Sequence, residues 1–206
     1  MEAVHLPIAS QKTLIQLCRK TLDRFVRGAK EEEEGEVGDP HLLSSGYGAF
    51  VSLHKGKELR GCIGTCFPTE PLYRTVIETT EASACRDYRV LPIGVNELGD
   101  IHISVSVLSP LEPVEDPLSL EVGKHGLHLA SGDRRGVLLP QVATEYGWDM
   151  ETFLNQTCLK AGLYKDAWRR QETRVLSFTA LVIEEEKGGG RGIDRFGFGK
   201  DYATKS

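Results

Sequence analysis

Apolar and polar positions follow two different periods along the chain. Residues 10–28 carry Leu14, Leu17, Cys18, Thr21, Leu22, Phe25 and Val26 at i, i+3, i+4 spacing, which predicts an amphipathic helix stopped by Gly28. GAFVSLH at 48–54 and ELRGCI at 58–63 are rich in strand formers, and Lys55-Gly56-Lys57 between them predicts a β-hairpin. Thr69 is predicted to cap a helix over 70–84, with Pro71 in its first turn and Leu72, Val76, Ile77, Thr80 and Ala84 as its apolar stripe. Residues 100–108 alternate with period two. Ile101, Ile103, Val105 and Val107 face one way, and His102, Ser104 and Ser106 are expected to face solvent.

Residues 109–117 hold three prolines and predict an extended connector. Leu127 and Leu129 predict a short strand, followed by a Gly132-Asp133 turn. Asp149 is expected to cap a helix running to Ala161, with Phe153, Leu154, Thr157 and Cys158 inward and Gly162 as its stop. A last strand is expected over 173–183, with Leu176, Phe178, Ala180 and Val182 on its inner face. The order α, β-hairpin, α, β, β, α, β is not a repeating βα pattern. It predicts an α+β fold with a mixed or antiparallel sheet and flanking helices, one compact unit of two intimately packed subdomains over 1–186. The acidic stretch 31–40 reads as a solvated loop, and the Gly-rich stretch 187–206 as a mobile tail.

Composition narrows the class. The 206 residues are 40% hydrophobic and 27% charged, a globular balance. A net charge of −5 argues against broad binding to nucleic acid or anionic lipid. No basic leader and no long apolar run stand in the chain, so a protein without a membrane span is expected. Cys18, Cys62, Cys66, Cys85 and Cys158 are odd in number and scattered, as expected for reduced thiols in the cytoplasm.

The segment LRGCIG at 59–64 is the leading candidate for chemistry. Gly61 and Gly64 flank Cys62 and permit close approach of a ligand or of another backbone. Arg60 offers a planar donor fork for carboxylate or phosphate, and a nearby cation favours the thiolate of Cys62. The opposing reading makes Cys62 a small buried hydrophobe and the glycines packing devices. Cys62 and Cys66 form one pair without a second cluster, a poor match to a zinc site, so no metal is expected. GKHG at 123–126 places His125 in a turn, as a base for Cys62 or as an ordinary turn residue. Asp87, between Arg86 and Arg89, reads either as a ligand-binding cleft wall or as a locally paired helix end. Gln141, beside Pro140, reads as a pocket contact or a turn donor, and Trp148 and Trp168 as packing anchors.

With these segments in order, the chain resembles the AMMECR domain family. The stretches that carry the likeness are GAFVSLHKGKELRGCIGT at 48–65, Asp87-x-Arg89, ISVSVLSPLEPV at 103–114, VGKHGLHL at 122–129, GVLLPQVATEYGWD at 136–149 and FLNQTCLKAGL at 153–163. Where the family tends to have Asp-Pro-Arg-Phe, this chain has Asp87-Tyr88-Arg89-Val90. The resemblance implies an α+β fold with LRGCIG as its signature, and membership of the AmmeMemoRadiSam set. It also brings in Memo-type and radical-SAM proteins as partners. Two functions follow as expectations: a small-molecule or anion site, catalytic or not, around 59–64, or a non-catalytic partner protein using the same surface.

Overall fold

The computed structural model describes residues 2–29 and 37–186. Among them the chain forms α1 (Ile8–Val26), β1 (Gly48–Lys55), β2 (Glu58–Thr65), α2 (Leu72–Cys85), β3 (Ile101–Leu108), β4 (Glu112–Pro113), β5 (His125–Ser131), β6 (Arg134–Leu138), α3 (Pro140–Tyr146), α4 (Met150–Lys160) and β7 (Arg174–Glu184). The fold is α+β, and the registered strand pairs are antiparallel. Most of the acidic stretch, and all of the tail from 187, lie outside the described residues. Contacts divide the rest into two compact units, residues 5–107 with 181–186, and residues 2–4 with 108–180.

In the first unit β1 lies between β2 and β3, and β3 neighbours the end of β7. The β1–β2 turn keeps Lys55 opposite Glu58, and Gly56 takes φ +61° at the first loop position, as a type II′ turn requires. Helix α1 buries Leu14, Ile15, Cys18, Thr21 and Leu22, whereas Phe25, expected inward, is exposed in the last turn. Gly28 follows with φ +65° and closes the helix as predicted. Arg19 binds the Glu185 carboxylate and the carbonyls of Leu98 and Ile101, fixing α1 to the start of β3 and the end of β7. Helix α2 begins at Leu72 and has no side-chain cap, so Thr69 does not cap it. The cause is Pro71, which pushes Glu70 out of helical dihedrals and delays the start. Strand β3 departs from its alternation, because Ser104 and Ser106 are buried rather than solvent-facing.

In the second unit β5 lies between β6 and β7, with β4 on β7. Strand β6 and helix α3 add to the predicted elements. The Asp149 carboxylate accepts the Thr152 N–H at 2.8 Å, and Gly162 has φ +69°, so both ends of α4 are as predicted. Its four inward residues are buried. On β7 the more deeply buried side carries Val175, Ser177 and Thr179, and of the expected inner face only Phe178 is fully buried. Trp168 anchors this unit, its buried indole N–H donating to Asn155 Oδ1 at 2.9 Å.

Candidate functional site

The segment 59–64 forms most of β2. Its register against β1 runs from Ala49↔Thr65 to Leu53↔Gly61, then slips to His54↔Leu59. Arg60 is the extra residue of this β-bulge, a device that bends a strand and re-aims a side chain. The guanidinium turns to Glu97, with Nε donating to Oε2 at 3.1 Å and Nη2 to Oε1 at 2.9 Å. Arg60's bonds, with help from the Gly94 N–H, hold the Glu97 carboxyl at about 2. The fork expected to receive an external anion therefore grips an internal one.

Gly61 and Gly64 make room for the protein itself. A Cβ on Gly61 would lie 1.9 Å from the Ser83 carbonyl oxygen of α2. One on Gly64 would lie 2.3 Å from the Phe50 ring and 2.4 Å from the Ala49 oxygen. The helix comes this close because the Ser83 hydroxyl bridges the hairpin, accepting the Ile63 N–H at 2.9 Å and donating to the Val51 carbonyl at 2.8 Å.

Cys62 is fixed through its backbone. Its N–H donates to Asp87 Oδ2 at 2.9 Å, and its carbonyl accepts Arg89 Nη2 at 3.2 Å. Asp87 and Arg89 in turn pair bidentately at 2.8 and 2.6 Å, and the Asp87 side chain is only 1% exposed. Arg89's bonds bring the Asp87 carboxyl down to about 2 against the opposing effect of burial, aided by the Cys62 N–H. The Asp87 cluster thus pairs locally and holds β2 at once. The Cys62 thiol is half-buried, and the Ser52 hydroxyl donates to Sγ at 3.3 Å. Cys66 and Cys18 are buried thiols pushed up to about 12 by burial, which makes them poor nucleophiles. Among the described residues no group of three or more His, Cys, Asp or Glu is arranged to hold a metal ion.

His125 and Gln141 belong to the other unit. His125 Nδ1 accepts the Glu121 N–H at 2.9 Å, so the neutral imidazole carries its proton on Nε2. That nitrogen is then a donor and not a base. Burial, then the charge of Lys124, lower its pKa. Gln141 lies in the first turn of α3, and its buried Nε2 takes no hydrogen bond among the described residues. The structure adds Ser52, Ser83 and Glu97 around the strand. None carried a sequence signal, because each reaches it through the bulge, the helix crossing or a distant turn.

Comparison with known proteins gives the family and its fold. The AMMECR1 family model matches residues 15–183. A protein of Thermococcus onnurineus is 42% identical over 183 residues, covering 84% of this chain and 89% of the relative. One of Methanothermobacter thermautotrophicus is 41% identical over 181 residues, covering 85% and 94%. The crystal structure of the uncharacterized protein PH0010 from Pyrococcus horikoshii is similar at a TM-score of 0.79 and 38% identity, covering 85% of this chain and 91% of that one. The chain belongs to the AMMECR1 family.

Proposed function

We propose that the strand 59–64 carries a small-molecule site whose reacting atom is the Cys62 thiol. One observation supports this above the rest. Cys62 is held on its N–H by the buried Asp87 carboxylate and on its carbonyl by the partly exposed Arg89, while its sulfur stays half-buried and receives the Ser52 hydroxyl. A positioned sulfur that accepts a hydrogen bond is biased toward thiolate. In this reading Cys62 is the nucleophile, Asp87, Arg89 and Gly61 position it, and Arg60 with Gly64 shapes the strand. His125 and Gln141 lie in the second unit and take no part in this reading.

The test is the alkylation rate of Cys62 against pH, located by mass spectrometry. A thiolate forming below the usual ~8.5, and moved upward in Ser52→Ala, supports the reading. A Cys62 inert up to high pH, while exposed Cys85 reacts, would make it a packing residue.

A second reading, a non-catalytic partner surface, has its own observation. Tyr88, between the two residues that hold Cys62, is 95% exposed; Leu91, three residues on, is 79% exposed, and Phe67, five residues after Cys62, is 60% exposed. Memo-type and radical-SAM proteins are the partners that the family likeness suggests. A complex by sedimentation that is lost in Tyr88→Ser, yet unchanged in Cys62→Ala, would favour this reading over the first.

A further inference from the structure

The face of β1 that carries Ser52 also carries His54, two residues on, because side chains of a strand alternate. Cys62 shares this face, since Ser52 and Cys62 are cross-strand partners and their side chains meet. Gly61 and Ser83 define the opposite face, against α2. The end of β1 lies beside the start of β3: Lys55 pairs with Asp100 at 3.2 Å, and His102 acts electrostatically on His54. His102 and Ser104 then alternate onto the same side of β3. This side is polar and also buried. His54 is 7% exposed and Ser104 2%, yet His54 Nε2 and Ser104 Oγ take no hydrogen bond among the described residues.

Buried polar groups are seldom left in that state, since each costs free energy unless it finds a partner. The charges around the face are already matched internally: Arg60 with Glu97, Arg89 with Asp87, and Lys55 with Asp100. His102 lies 3.9 Å from Glu184. Burial, then the neighbouring His102, disfavours the charged form of His54. Among the described residues, the donors and acceptors left open on this face are the neutral His54 Nε2 and Ser104 Oγ. A charged guest there would lose its hydration without a counter-ion.

Resting on the reading of Cys62 as the reacting atom, we infer that the face bearing Ser52, His54, Cys62 and Ser104 binds an uncharged small molecule with a carbonyl or hydroxyl group. His54 Nε2 and Ser104 Oγ hydrogen-bond that group, and Cys62 Sγ stands beside it. This excludes the phosphate or carboxylate ligand that Arg60 suggests in the sequence.

The test uses two alkylating agents that differ mainly in charge, neutral iodoacetamide and anionic iodoacetate, on the full chain. In both, the thiolate sulfur displaces iodide. Rates at Cys62 are divided by those at exposed Cys85 in the same sample. The expected result is a neutral-over-anionic preference at Cys62 exceeding that at Cys85 by about tenfold, the effect of one hydrogen bond. That preference narrows toward the Cys85 value in His54→Phe and in Ser104→Ala, and the Ser104 variant decides the matter if His54→Phe loses its folding transition. Equal ratios at the two cysteines, or a bias toward iodoacetate, overturn the inference and leave the Cys62 site standing. A Cys62 that reacts with neither reagent overturns both.

Discussion

Replacing Gly61 with Ala should destabilise the first unit more than an ordinary glycine substitution. The new methyl would stand 1.9 Å from the Ser83 oxygen and 2.9 Å from the Ser83 carbonyl carbon, both backbone atoms of α2. Carbon contacts settle near ~3.5 Å, so helix and strand must part by about 1.5 Å. Overpacking of this kind costs ~1–3 kcal/mol. The separation also stretches the two Ser83 hydroxyl bonds to Ile63 and Val51. Each contributes ~1 kcal/mol. The sum, ~3–5 kcal/mol, is a large part of the ~5–15 kcal/mol that holds a typical protein folded. For a chain of this size it corresponds to a fall in Tm of roughly 6–20 °C. Urea unfolding of the variant measures it. Gly99→Ala is the control, because nothing lies within 4 Å of the Cβ it would add. A Gly61 variant within ~0.5 kcal/mol of the control would refute the claim that α2 rests on this glycine.

Three further outcomes follow from the same geometry. The folded-state pKa values of Asp87 and Glu97 lie below their unfolded values, so their contribution is full above about pH 4 and is lost as pH falls toward 2. Asp87→Asn should lower stability at pH 7 by ~1.5–3 kcal/mol, since it weakens the charge-assisted bonds to an Arg89 that is 34% exposed, and should flatten the acid limb in urea titrations between pH 5 and 2. His54, His125 and His128 act in the same direction at a higher pH: each is held below its unfolded value, first by burial, so protonation opposes folding. Their contribution is present above about pH 6.5 and is lost as pH falls through the window below it, so His54→Gln should reduce the stability difference between pH 7 and pH 5. Asn155→Ala leaves the buried Trp168 N–H without its acceptor and should cost ~1–3 kcal/mol by denaturant unfolding, with a change in tryptophan emission as a local readout.

Elements whose ends are written in local chemistry were legible in the sequence. The Asp149 cap and the Gly162 stop bound α4, and Gly56 marks the hairpin turn. Helix α3 was missed because Pro140 reads as a breaker, although it stands at the first helical position, where its missing N–H costs nothing. Strand β6 was hidden by its opening arginines. It is seated under α4 through Gly136, whose Cβ would lie 2.7 Å from the Thr157 oxygen. The solvent face expected on β3 and the inner face expected on β7 failed for a common reason, whereas the apolar face of β3 is buried as expected: both strands carry buried residues on two sides, so small polar residues can point inward. At the candidate site the strand was legible and its neighbours were not. A regular hairpin from the Lys55–Glu58 pair would put Cys62 opposite Val51. The bulge at Arg60 moves it to Ser52. A slip of one residue exchanges the faces of a strand, and no local residue preference announces it.

Asp87 and Arg89 have one more consequence. Among the described residues of the first unit β2 has a strand neighbour on one side, β1. The free flank of such a strand is a template on which another molecule can grow, and natural proteins blunt it with charges or coverings. Here a carboxylate takes the Cys62 N–H and a guanidinium takes its carbonyl, the two groups an incoming chain would need for its first ladder bonds. The pair behaves as a counterfeit strand, with Tyr88 exposed between its two halves. Under the proposed role of Cys62, the bonds that aim the sulfur are also the ones that blunt this edge, and a variant that loosens them is expected to self-associate.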